Sequence, residues 1–280
     1  MSKPGQLLAF IHVEKAAGTS FIHILRHNYF MKYIDARPYH RESRGLFSAS
    51  DLSVARKVVP GLSCIAGHSI KPFSDIGAVV PDIQYITILR DPVKRYVSQY
   101  QYWVERMDKK LSFEEFLDTE EVRNFQTKKF DASGDIEKAK KVLQKKIMLV
   151  GFVDEFDEFL VLLRDKLRPL VFDPQYKQQN LAKNKVKISG LFEKYKDKIK
   201  ENNALDIELY NYARDVIYPE SIKNYAGNFY EDVEQFKALN AVANIPMYKR
   251  YIDYIMRKTY IEPVTNLIRL SHGIEAKGSY

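Results

Sequence analysis

The sequence predicts an α/β fold: a three-layer sandwich with a central parallel sheet of about five strands between helices, and a helical elaboration at its C-terminal end. Three observations predict it. Short apolar runs of strand length alternate with amphipathic helical segments, as expected of parallel strands joined by right-handed crossovers. The runs end in polar turns marked by Gly or Pro. Beyond residue 190 the pattern is helical throughout. With 280 residues and 45% apolar content, the chain fills a sizeable core, and we read one domain over 1–280, its core at about 6–215 and its extension at about 216–280.

Residues 6–13, "QLLAFIHV", form the first strand: short, nearly all apolar and closed by a glycine-containing turn. The segment "TSFIHILRHNYF" that follows spaces Phe21, Ile24 and Leu25 on one helical face, with Thr19 or Ser20 as its cap. Residues 30–60 read as an irregular excursion with a short helix near 50–58. "LSCIAGH" (62–68) is a second strand and "IQYITILRDP" (83–92) a third, which stops where Asp91 caps a helix and Pro92 takes its first position. "SFEE" (112–115) is a capping box. A lysine-rich helix (135–146) precedes a fourth strand, "IMLVGFV" (147–153), and the helix "DEFDEFLVLLRDKL". "LRPLVF" (167–172) reads as a fifth, short strand. In the helical remainder, Leu205, Leu209, Tyr212 and Val216 share a face, and Pro219, Pro246 and Pro263 mark breaks.

Composition narrows the function. A net charge of +8 favours polyanionic partners, although a solvated basic surface explains charge alone. No nucleic-acid-binding signature accompanies it. The single cysteine, Cys64, excludes an intramolecular disulfide, argues against a cysteine metal cluster and reads as a buried strand thiol. The N-terminal apolar stretch is too short for a signal peptide and no run approaches a membrane span, so a soluble, cytoplasmic protein is expected.

In an open parallel sheet, ligands bind beyond the carboxyl ends of the strands. Three polar features fall there: "KAAGTS" (15–20) after the first strand, His68 after the second and Arg90 after the third. A loop of backbone amides opening a helix at Gly18, with the Thr19 and Ser20 hydroxyls and the Lys15 charge, suits an anion. Arg90, beside a capped helix, offers a second anion site with a bidentate fork. Two such sites call for a ligand with two separated anionic groups. The lysine precedes the glycine, whereas the Walker order G-x-x-x-x-G-K-[ST] places it after, so a nucleoside triphosphatase is disfavoured.

The order Lys, two small residues, Gly, Thr, Ser resembles the 5′-phosphosulfate loop of sulfotransferases that use 3′-phosphoadenosine 5′-phosphosulfate (PAPS). "RDPVKRYVS" (90–98) resembles their 3′-phosphate motif, R-D-P-x-x-R-x-x-S. "GH" (67–68), "RNFQTKKF" (123–130), "VGFVDEFDEFLVLL" (150–163) and "LDIELYNYA" (205–213) resemble, in order, stretches of the carbohydrate branch that contains the heparan sulfate 2-O-sulfotransferases. The resemblance covers roughly residues 7–215. Glu14 departs from it, standing where that branch usually has proline, as does Ala16 in place of threonine.

The resemblance implies a P-loop-like fold and transfer of a sulfuryl group from PAPS to an acceptor hydroxyl, most simply of a carbohydrate, leaving PAP and using no metal. Lys15 would neutralise charge on the oxygen between phosphate and sulfuryl group. Lys15, Ala17, Gly18, Thr19, Ser20 and Phe21 would hold the 5′-phosphosulfate, and Arg90 and Ser98 the 3′-phosphate. His68 matches the general base. Asn124, Gln126 and Lys128 are further candidates, weighed against an exposed helix. Arg95 reads as a support for Asp91, His12 as structural and the lysines of 138–146 as a solvated face. The acceptor pocket is expected from loops 31–60, 70–80 and 175–190 and the helical end. Two other readings stay open: a P-loop-type kinase or NTPase, and a non-catalytic module for acidic glycans or nucleic acid. The sequence carries no signal for oligomeric state.

Overall fold

The computed structural model describes residues 6–41, 45–177, 189–242 and 247–274. Five parallel strands form one sheet: β1 (Leu8–Ile11), β2 (Tyr33–Asp35), β3 (Cys64–Gly67), β4 (Gln84–Leu89) and β5 (Ile147–Phe152), in the order β2-β3-β1-β4-β5. The chain leaves β1 toward one edge and later crosses back over it to build the other. This makes the end of β1 the switch point where such sheets bind ligands. Ile11 aligns with Gly67 of β3 on one side and Thr87 of β4 on the other, so the three strands end nearly level.

Strand residues alternate between the two faces, and each face has its own core. On one, Leu7, Ala9, Ile11 and Ile65 pack against α2 (Ala49–Val58), α3 (Ile76–Val79), α7 (Ile136–Lys146) and α10 (Ala204–Tyr212). On the other, Leu8, Phe10, Ala66, Ile86 and Ile88 pack against α1 (Gly18–Asn28), α8 (Phe156–Lys166) and α12 (Phe229–Ala241). A third cluster joins α4 (Pro92–Glu105), α5 (Phe113–Asp118) and α9 (Ser189–Asn202) through Tyr96, Trp103, Phe116 and Ile199. The short α6 (Thr127–Phe130) lies between α5 and α7, and α11 (Tyr218–Lys223), α13 (Met247–Met256) and α14 (Glu262–Ser271) complete the chain.

Local signals operate as the chemistry requires. Asp91 Oδ1 accepts the Lys94 amide at 2.8 Å with Pro92 in the first turn of α4, and Ser112 with Glu115 forms the capping box of α5. Cys64 is buried in β3.

Three expectations are corrected. The fifth strand is β2, three residues inside the stretch read as irregular, and 167–172 forms no strand. Pro169 there has no amide to donate, and Val171 is 98% exposed. Pro219 and Pro263 do not break their helices: each stands in the first turn of α11 or α14, directly after a π turn (Ala213–Ile217 and Arg257–Ile261). A π turn moves the carbonyl that a proline ring would otherwise strike. The first of these turns also shifts the buried face, so Leu209, Tyr210 and Ala213 are buried while Val216 is exposed. Pro246 and positions 42–44 and 178–188 of the expected acceptor loops lie outside the described residues.

Candidate active site

β1 ends at Ile11 and α1 begins at Gly18. In the turn between them Lys15 (φ 67°) and Ala17 (φ 56°) adopt left-handed conformations that cost non-glycine residues on the order of 1 kcal/mol each. Such backbone aims successive amides to one side, a concavity suited to an anion. Ala17, rather than Thr19 or Ser20, is the N-cap, and no side chain caps the helix. Among the described residues, the amides at the start of α1 thus have no side-chain acceptor, as the first turn of a helix leaves them. Gly18 is required by packing: a Cβ there would stand 1.7 Å from the His12 ring, which lies under the turn.

Arg90 follows β4 and reaches the same turn, its Nη1 donating to the Lys15 carbonyl at 2.9 Å. The Lys15 ammonium lies 4.3 Å from the centre of the Tyr102 ring of α4. Burial, then the neighbouring Arg90 and Arg106, lower the Lys15 pKa from its ordinary value. Burial likewise lowers that of Arg90, against the opposing pull of Asp154 and Asp91. Two crowded, partly desolvated cations at a helix N-terminus make a strongly electropositive spot.

His68 follows β3. Its Nδ1 lies 3.2 Å from the His12 carbonyl and 3.2 Å from Glu14 Oε1, and its ring stacks on that of His12 with centroids 4.0 Å apart. Burial, then His68, lowers the His12 pKa to about 3. The other Glu14 oxygen pairs with Lys129 at 2.6 Å. Burial pushes the Glu14 carboxyl up, but Lys129 and the His68 hydrogen bond outweigh it and hold the group well below the usual carboxylate range. Burial, then Lys129, lowers Lys71 to about 6.

A clamp between distant segments holds this arrangement. Buried Asp206, at the start of α10, accepts the Gln126 amide (2.9 Å), the Thr127 amide (2.7 Å) and the Thr127 hydroxyl (2.8 Å). Asn124 Oδ1 returns the bond by accepting the Leu205 amide at 2.9 Å. Gln126 then grips Arg90, accepting its amide at 3.1 Å and donating to its carbonyl at 2.9 Å. One turn on, α6 delivers Lys129 to Glu14.

The sequence-predicted residues thus divide. Lys15, Ala17, Gly18, Thr19, Ser20, His68 and Arg90 gather at neighbouring strand ends. Phe21 has its side chain buried against Phe10 and Phe159, and its amide faces the Ala17 carbonyl at 3.2 Å, because the periodicity that makes it helical also makes it core. Ser98 is half-buried within α4, two turns beyond the Arg90 junction. Asn124 and Gln126 are clamp residues rather than an exposed face, and Lys128 pairs with Glu120 at 3.5 Å. Arg95 is buried, its guanidinium donating to the Val122 carbonyl at 3.2 Å and lying over Phe125 instead of meeting Asp91. Lys129 and Tyr102 were not singled out. The Lys129 signal was a second lysine in "TKKF", which sequence alone does not distinguish from Lys128.

A family model described as the Sulfotransferase family matches residues 1–184. The chain belongs to the Sulfotransferase family. Among solved structures it is similar to a sulfotransferase from Alicyclobacillus acidocaldarius, with 15% identity over 74% of this chain and 97% of that one, at a TM-score of 0.40. No curated protein matches the chain. Membership makes this sulfotransferase an enzyme of sulfuryl transfer. Among the described residues no cluster of three or more His, Cys, Asp or Glu is placed to hold a metal, and no helix is long and apolar enough to cross a membrane.

Proposed function

We propose that this sulfotransferase moves the sulfuryl group of PAPS to a hydroxyl of a carbohydrate acceptor. The observation that carries the reading is the 2.9 Å bond from Arg90 to the Lys15 carbonyl, which joins two cationic motifs from different strands into one site beside His68. The uncapped turn at Gly18 and the two partly desolvated cations suit a nucleotide with separated anionic groups.

PAPS supplies the sulfuryl group and departs as PAP. The amides of Ala17 to Ser20 and the Thr19 and Ser20 hydroxyls hold the 5′ end, and Arg90, with Ser98, holds the 3′-phosphate. Lys15 stands where negative charge grows on the oxygen that leaves, an electrostatic role whose loss typically costs 10²–10³-fold in rate (roughly, by analogy with other preorganised donors). His68 takes the acceptor's proton on Nε2. The bond from acceptor oxygen to sulfur forms as that from sulfur to phosphate oxygen breaks, in line, with positioning and charge doing most of the work. A carbohydrate acceptor follows from the resemblance of "RNFQTKKF", "VGFVDEFDEFLVLL" and "LDIELYNYA" to stretches of the carbohydrate branch.

Transfer of radiolabelled sulfate from PAPS to a panel of oligosaccharides tests this. The wild type labels at least one of them, while Lys15→Ala and His68→Ala each lose about 10²-fold or more in turnover. Labelling that survives both substitutions would refute the assignment.

A further inference from the structure

Glu14 is one of the two residues, with Ala16, at which the loop departs from the pattern it resembles, and its carboxylate turns into the site. Both of its oxygens are engaged, one on His68 and one on Lys129. We infer that Glu14 is a positioning residue for the transfer reaction: anchored by Lys129, its carboxylate supplies the counter-charge that lets His68 act as base. This rests on the reading of His68 as the group that takes the acceptor's proton.

Two acceptors face His68 Nδ1, the His12 carbonyl and Glu14 Oε1, each at 3.2 Å. An atom between two acceptors must carry the hydrogen, which leaves Nε2 with a free lone pair. The carbonyl alone would fix that tautomer. The carboxylate adds a full negative charge beside the ring, and that charge matters only once the ring holds the acceptor's proton.

The surroundings protect this charge. Lys129 is only 5% exposed and lies 4.7 Å from the Phe125 ring, so it is poorly placed to be replaced by solvent. With its carboxyl held well below the usual range, Glu14 stays anionic and is a poor base itself. His12, lowered to about 3, stays neutral beneath His68 and does not repel the protonated ring. The step balances simply: the attacking hydroxyl gives its proton to Nε2, its oxygen bonds sulfur, and the electron pair of the broken sulfur–oxygen bond departs on the nucleotide phosphate.

The test uses the full chain and PAPS with water as acceptor, following PAP release in the wild type, Glu14→Gln, Glu14→Asp, His68→Ala and the Glu14→Gln/His68→Ala double variant. PAP affinity is measured calorimetrically in each. The expected result is a 10- to 100-fold (order of magnitude) fall in kcat for Glu14→Gln with KM for PAPS within about threefold, and partial recovery in Glu14→Asp. In the double variant the two losses do not multiply, because Glu14 acts only through His68. A Glu14→Gln enzyme within about twofold of wild type, or losses that multiply, overturns the inference while leaving PAP binding intact. A wild type that binds no PAP instead removes the parent reading, and this inference with it.

Discussion

At the scale of single residues, the site is organised by His12 as much as by the residues that face solvent. Its ring fills the space that a side chain at position 18 would need, supports His68 by stacking, and offers its carbonyl to His68 Nδ1. Burying a titratable ring has a measurable consequence. The folded protein protonates His12 only near pH 3, whereas the ordinary imidazole value is 6.5. Between those values the unfolded chain binds more protons, so stability falls as pH drops from about 6.5 toward 3, by up to about 1.4 kcal/mol per unit. Urea unfolding at pH 7.5 and 4.5 checks this: wild type should lose on the order of 2 kcal/mol more than His12→Asn. Equal losses in the two proteins would show that the ring takes up its proton without penalty. Lys15, His68 and Arg90 were legible in the sequence because each follows an apolar run. The partnership of Glu14 with Lys129 was not, since it joins residues 115 positions apart and depends on where α6 is pinned.

At the scale of elements, strands recognisable by apolar content were found, and those made by context were not. β2 has three residues and owes its existence to pairing with β3, whereas "LRPLVF" has the right composition but Pro169 leaves a gap in any ladder. The proline-marked ends of α11 and α14 misled for a related reason: the preceding π turns accommodate the ring, and nothing in local propensity announces them. The clamp between α10 and the start of α6 has no local signal either, although "RNFQTKKF" and "LDIELYNYA" both resemble stretches of the carbohydrate branch. It makes Asp206 a structural residue with reach into the site. Asp206→Ala leaves the buried amides of Gln126 and Thr127 without acceptors, at a cost of about 2–4 kcal/mol. It also loosens the grip of Gln126 on Arg90. Chemical denaturation and PAP titration of that variant should show both losses together, and an unchanged denaturation midpoint would contradict the role given to the clamp.

At the scale of the whole molecule, sheet order does the assembling. Because β1 lies between β3 and β4, the segments carrying Lys15, His68 and Arg90 emerge side by side although they span 76 positions of sequence. A charge of +8 on the chain adds a general attraction for anionic ligands, and on the proposed reading the paired sites decide which anion is held. The most direct measurement is calorimetric titration of the wild type and Arg90→Ala with PAP and with AMP, which lacks the 3′-phosphate. The account predicts that wild type binds PAP more tightly than AMP, and that Arg90→Ala weakens PAP by about 10- to 100-fold, the worth of a lost charge-assisted contact, and AMP by clearly less, through the lost bond to the Lys15 carbonyl alone. Equal affinity of the wild type for the two nucleotides, or equal weakening of both by the substitution, would contradict it.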